Sequence, residues 1–244
     1  GAAVLHAGML GAGGEVLRNY LEDNGVDTSL LQRCDAPQGH TVIQVDPAGQ
    51  NCIVVCGGSN QLVSAEYIDD TLKKFHSGDY LMLQNEISGL SRIISAAHAR
   101  GLRVVLNASP VNDALLQADL SKLTWLVVNE LECMAVAGCE GVMEAYETLK
   151  ARYPGVGILL TLGSGGSVSW ADGEDVRQQA YPARVLDTTG AGDTFAGYFV
   201  GCLANGFSRS DAMRFASMAA SLAVSRPGAA ASIPLMKDVQ QALC

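Results

Sequence analysis

Positive charge is scarce in this sequence, and paired cysteine is missing from it. The 16 lysines and arginines are set against 25 aspartates and glutamates, a formal charge of −9 at pH 7. Binding a phosphate backbone takes clustered Lys and Arg. No such cluster occurs, so no nucleic-acid partner is expected. A small anionic ligand stays compatible, because a local pocket can oppose the net charge. No apolar run approaches the roughly 18 residues that read as a membrane span, so no membrane partner is expected either. The opening GAAVLHAGMLGAGG has neither the basic start nor the long apolar stretch of a signal peptide. The seven cysteines, at 34, 52, 56, 133, 139, 202 and 244, are odd in number and form no Cys-x-x-Cys. Zinc ligation and a disulfide framework are therefore poor readings, and free thiols in a reducing cytoplasm are the expectation. Three motifs are missing as well. No Gly-Lys-Ser/Thr closes a Walker loop, no Gly-x-Ser-x-Gly marks a hydrolase elbow, and GAGGEV at 11–16 has Val16 where a dinucleotide fingerprint needs its third glycine. The histidines at 6, 40, 76 and 98 show no partner pattern and read as surface or packing residues.

What is present is regular. With 244 residues, 48% hydrophobic and 17% charged, the chain suits one large α/β domain or a domain with a small appendage. AAVLHAG reads as a buried strand, and Glu15–Asn24 has helical apolar spacing that stops at Gly25. TVIQVD, the turn PAGQN and CIVVC read as a β-hairpin over 41–56 that projects as a flap. From Tyr80 strands and helices alternate. The strands are YLMLQ, LRVVLN, WLVVN and VGILLTL; the helices are Leu90–Arg100, Leu131–Ala137, Val142–Arg152, Ala191–Ala204 and Ser208–Ser225. A second hairpin, GSVSW and DVRQQAY, surrounds ADGED. This order predicts a mostly parallel sheet with helices on both faces. Such sheets bind ligands beyond the carboxyl ends of their strands. Asn107-Ala108-Ser109, Asn129-Glu130-Leu131-Glu132 and Thr161-Leu162-Gly163-Ser164-Gly165-Gly166 all fall on that edge.

The stretch DTTGAGDTFAGYFVG, Asp187 to Gly201, carries the most chemistry. A helix N-terminus leaves backbone N–H groups unpaired, and with the helix dipole these make an anion site. Gly190, Ala191 and Gly192 keep its approach clear of side chains. Asp193 beside them reads as the base that orients and deprotonates an acceptor hydroxyl in phosphoryl transfer. The alternative is an acid that complements the dipole of its own helix. Thr161 can hydrogen-bond a phosphate and the glycines after it permit close backbone approach; the alternative is an ordinary hairpin turn. Asn129 and Glu132 share one face of a first helical turn. They suit Mg²⁺ held through water beside phosphates, or a plain reciprocal helix cap.

Together these pieces resemble the ribokinase family, also called the PfkB carbohydrate kinases. DTTGAGDTFAGYF is similar to that family's C-terminal signature, NELE to its Asn-x-x-Glu motif and TLGSGG to its nucleotide-phosphate loop. The resemblance implies a ribokinase-like α/β fold over 1–244 with a small β lid at 40–57. It also implies transfer of the γ-phosphoryl group of ATP to a sugar hydroxyl, with Mg²⁺. Within the family the ribokinase branch looks nearest, which implies ribose converted to ribose 5-phosphate. Other acceptors in view are a different sugar, a sugar acid or a nucleoside, and a nucleotide-binding, non-catalytic chain of this fold is the reading from another class. By the resemblance, Asp193 with Gly190, Ala191 and Gly192 is catalytic. Asn129, Thr161, Leu162, Gly163, Ser164, Gly165, Gly166, Gly192 and Ser217 contact ATP. Glu86 and Asp193 contact the sugar, and Glu132 holds Mg²⁺ through water. SRPGAAASIP is similar to a potassium loop, in which Asp187, Thr189, Ala223, Arg226, Gly228 and Ser232 surround K⁺; a plain turn and, for Ser217, simple packing are the alternatives. The lid implies a homodimer. The family's sugar-binding aspartate on an opening strand and its Gly-Gly-Lys/Gly-x-Asn motif have no counterpart here, so sequence upstream of Gly1 is expected.

Overall fold

In the computed structural model, residues 2–45 and 51–244 are described. The chain opens with β1 (Leu5–Ala12), α1 (Glu15–Asp23) and β2 (Asp27–Pro37). β1 and β2 pair in parallel and form a small sheet of their own. The buried opening strand expected at AAVLHAG is corrected in two ways. The strand runs on to Ala12, and its first residues face solvent: Val4 is 51% and Leu5 43% exposed, with burial reached only at Leu10 and Gly11. β3 (His40–Val45) and β4 (Asn51–Cys56) form the expected hairpin as a separate antiparallel pair, Thr41 opposite Val55 and Val42 opposite Val54. Residues 46–50 of its expected turn lie outside the described residues.

Ser64 then caps α2 (Ala65–Leu72) by accepting the Tyr67 N–H at 3.1 Å. The Tyr67 hydroxyl reaches back to the small sheet, where it donates to the Leu30 carbonyl at 2.6 Å and accepts the Gly8 N–H at 2.6 Å. One side chain thus ties both strands to the main body. That body follows as β5 (Tyr80–Gln84), α3 (Leu90–Ala99), β6 (Arg103–Asn107), α4 (Asp113–Leu116), β7 (Trp125–Asn129), α5 (Glu130–Ala137), α6 (Val142–Arg152) and β8 (Gly157–Thr161). The hairpin β9 (Ser167–Ala171) and β10 (Glu174–Gln178) is next, then α7 (Ala191–Ala204), α8 (Arg209–Ala223) and α9 (Met236–Ala242). The six-stranded sheet has the order β10-β9-β8-β7-β6-β5. β5 to β8 run parallel, and β9 and β10 are antiparallel additions at one edge.

Strand alternation sorts the core into two layers. Val104, Leu106, Leu126, Val128, Ile158 and Leu160 face α2, α3, α5 and α6. Val105, Trp125, Val127 and Leu159 face α7, α8 and α9. Both faces are dry, as a parallel sheet requires. In the second layer the Phe199 ring of α7 meets the Trp125 ring edge-on, centroids 5.0 Å apart. Gly157, the neighbour of Trp125 on β8, has to be glycine, because a Cβ there would enter that indole.

Candidate functional site

β5 and β6 end level with each other, and β7 and β8 end level two residues further on. Gln84 pairs with Asn107, Asn107 with Val127, and Asn129 with Thr161. Beyond these ends the N-terminus of α7 closes a cavity of about 310 Å³. The sheet edge gives it Gln84, Glu86, Asn107, Ser109, Asn129, Glu132 and Thr161, and the helix gives it Gly192 and Asp193. The sequence-predicted residues Glu86, Asn129, Glu132, Thr161, Gly192 and Asp193 are therefore brought together. Three carboxylates line the cavity and, among the described residues, no lysine or arginine does.

Gly190 caps α7 in the left-handed region, at φ 74°, a conformation glycine adopts without strain. The first turn is less open than expected. The Ala191 N–H already donates to the Thr188 carbonyl at 3.2 Å, and Thr194 starts the helical ladder on Gly190 at 2.9 Å. Among the described residues this leaves the Gly192 and Asp193 N–H groups as the donors aimed out of the helix. A Cβ on Gly192 would touch nothing within 4 Å, so packing does not require glycine there, and the residue lines the cavity. The Asp193 carboxylate accepts a hydrogen bond from Gln84 Nε2 at 2.9 Å.

Asn129 and Glu132 form the reciprocal helix cap that was the alternative to metal binding. Asn129 Oδ1 accepts the Glu132 N–H and Glu132 Oε2 accepts the Asn129 N–H, each at 2.9 Å. The cap does not remove them from the cavity wall. Burial pushes the Glu132 carboxyl above the usual carboxylate range, and the charge of Asp193 adds to this. The Asn129 N–H and the nearby Ser109 hydroxyl pull the other way. A partly buried acid that feels the charge of a second is a place where a cation lowers the energy.

The remaining sequence-predicted residues, among them Leu162, Gly190 and Ala191, do not line the cavity. Gly163–Gly165 form a 3-10 turn after Thr161, and Leu162 accepts the Gly165 N–H at 2.8 Å. Gly166 is needed at the end of that loop, because at φ 89° a Cβ would run into the Gln178 carbonyl. Ser217 is not on the cavity wall. It is buried, and its hydroxyl donates to the Gln179 carbonyl at 3.0 Å, the packing alternative. The 187–189 and 226–228 segments, expected to surround a cation, do meet. Asp187 Oδ1 accepts the Thr189 N–H and Oδ2 the Gly228 N–H, both at 2.9 Å, and these backbone donors hold its carboxyl below the usual range. Ser232 is buried and donates to the Ala229 carbonyl at 2.7 Å. Sequence reasoning passed over Gln84. The rule that flagged Asn107, Asn129 and Thr161 also applies to it, since it is the polar last residue of its strand.

Comparison with known proteins agrees with this geometry. The model of the pfkB family of carbohydrate kinases matches residues 1–236. Ribokinase of Staphylococcus aureus (strain COL) is 35% identical over 225 residues, which are 88% of this chain and 73% of that protein. Ribokinase of Arabidopsis thaliana is 33% identical over 95% of this chain, which spans 64% of its length. Among solved structures, ribokinase of Cryptococcus neoformans var. grubii serotype A in complex with ADP superposes with a TM-score of 0.89 at 31% identity, over 99% of this chain and 83% of that one. Arabidopsis ribokinase complexed with ribose and ATP gives 0.83 at 29% identity, over 99% and 82%. The sheet order, the acid at the mouth of α7 and a family match running almost end to end have one common account: this chain belongs to the pfkB family of carbohydrate kinases.

Proposed function

We propose that the chain is the phosphoryl-transfer unit of an ATP-dependent sugar kinase, with ribose as the acceptor and ribose 5-phosphate as the product. The observation that carries the reading is the meeting of Asp193 with the Gly192 amide in one cavity at the carboxyl ends of four parallel strands. Asp193 takes the proton of the acceptor hydroxyl. The Gly192 and Asp193 N–H groups stabilise charge that develops on the transferred group. Thr161 and the turn after it hold the nucleotide phosphates, and Glu86 orients the sugar. Glu132 and Asn129 are the residues that would hold Mg²⁺, which when bound supplies charge neutralisation on the phosphates. Three carboxylates lining one cavity fit that requirement, and they favour an uncharged polyol over an anionic acceptor. The adjoining 187–189 and 223–232 segments support a K⁺ site made of oxygen ligands. The hairpin supports pairing of two copies, since Val42, Val54 and Val55 are each more than half exposed.

The test is ADP release from MgATP in K⁺ buffer across a panel of ribose, other sugars, sugar acids and nucleosides. Ribose-dependent release is the expected result. Release with another acceptor alone reassigns the substrate. Nucleotide binding with no release on any acceptor favours the non-catalytic reading. Asp193→Asn is expected to lower turnover by about 10²–10⁴-fold while leaving nucleotide binding in place.

A further inference from the structure

We propose that Gln84 is the positioning residue for the Asp193 carboxylate, holding it out of its own helix and toward the acceptor. This rests on the reading of Asp193 as the base. Asp193 and Glu132 occupy the same place in their helices, three residues after the N-cap. From there an acid's near partner is the N-cap N–H, as in a capping box. Glu132 takes that partner on Asn129. Asp193 does otherwise: among the described residues, the hydrogen bond its carboxylate makes is with Gln84, 109 positions away in the chain, at 2.9 Å.

Gln84 is well placed to act as a clamp. It ends β5, in register with Asn107. The next residue is fixed on every side. The Asn85 N–H donates to the Ser109 carbonyl at 2.9 Å, and its buried side chain donates to the Pro110 carbonyl at 2.7 Å and to Asn112 Oδ1 at 2.8 Å. The chemistry of the donor also suits the task. An amide N–H restrains a carboxylate without cancelling its charge and without offering a proton. A lysine or arginine there would neutralise the base it held. With Oδ1 committed to Gln84, Oδ2 is left for the hydroxyl proton.

Gln84→Met removes the donor and keeps the side-chain length. If the unaltered chain turns over a sugar, Gln84→Met is expected to lower kcat by about 10²-fold, with KM for ATP and ADP affinity unchanged. Because it acts through Asp193, it should have no further effect in an Asp193→Asn background. An unchanged kcat, or an equal loss in that background, overturns the proposal. Thermal unfolding is followed throughout, and Gln84→Ala replaces any variant that does not fold. If the unaltered chain turns over no acceptor, the kinase reading fails, and Gln84 is judged separately by NMR. Its side-chain amide signal, identified by its loss in Gln84→Met, is expected away from the ordinary glutamine region and back within it in Asp193→Ala. An ordinary position in the unaltered chain overturns the proposal.

Discussion

Asn129 and Glu132 each bond the backbone N–H of the other, both at 2.9 Å. The pair starts α5 and lines the cavity at once, so the two roles have to be separated by chemistry. Glu132→Gln keeps an oxygen for the Asn129 N–H and loses the charge. It should leave the unfolding temperature nearly unchanged and raise the Mg²⁺ concentration needed for half-maximal turnover by about tenfold or more. Asn129→Ala loses its part of the cap and should cost about 1 kcal/mol of stability. Equal Mg²⁺ dependence in Glu132→Gln and the unaltered chain would leave Glu132 as a cap alone.

Gly192 supports a prediction in which stability and activity move in opposite directions. Nothing in the fold lies within 4 Å of a Cβ built there. Alanine suits the interior of a helix better, so Gly192→Ala should stabilise the chain by about 0.5–1 kcal/mol. If the Gly192 amide holds the transferred group, the added methyl should lower turnover by about 10²-fold. Urea titration and steady-state kinetics on one preparation check both halves.

The Asp187 carboxylate joins two segments by accepting the N–H of Thr189 and that of Gly228. If this junction holds K⁺, turnover should be higher in K⁺ than in Na⁺ at equal ionic strength. Asp187→Ala should bring the two rates together. Equal rates in the unaltered chain count against the cation site.

Asp175 supplies a pH dependence away from the cavity. Burial alone would raise its carboxyl. The hydrogen bonds from Lys150 Nζ at 2.9 Å and the Tyr146 hydroxyl at 2.8 Å outweigh this and hold it below its ordinary 3.8. A depressed folded-state value means that the stabilisation is present above 3.8 and is lost as pH falls through the folded value. The side chain is 37% exposed, so the screened contribution is only about 0.5–1 kcal/mol. Asp175→Asn should be less stable than the unaltered chain by that amount at neutral pH, and the gap should close as pH falls below 3.8 in acid titrations of unfolding.

Much of the main sheet was legible because its signals are local. YLMLQ and WLVVN are unbroken apolar runs and match β5 and β7 residue for residue, and Ala191–Ala204 matches α7. The 208–225 helix is shorter by a residue at its start and two at its end, where Ser208 serves as cap. β2 was missed because DTSLLQRCDAP mixes polar and apolar residues without alternation, and its partner β1 lies in parallel with register shifts. α2 was missed because three acids dilute its apolar stripe, although Ser64 signals its cap. Asp193 could be read from its neighbours, but its partner Gln84 could not. It is the packing of α7 against the strand ends that brings two residues 109 apart into contact.

The stack of Gly157, Trp125 and Phe199 has a kinetic side. Asp193 sits less than two helical turns before Phe199, whose contact with Trp125 is one of those that set α7 about its axis. A substitution that shifts the Trp125 ring is expected to be felt by α7, the helix that carries Asp193. Repacking around Gly157, Trp125 and Phe199, none of which lines the cavity, is therefore expected to reposition the Asp193 carboxylate as well as to change stability.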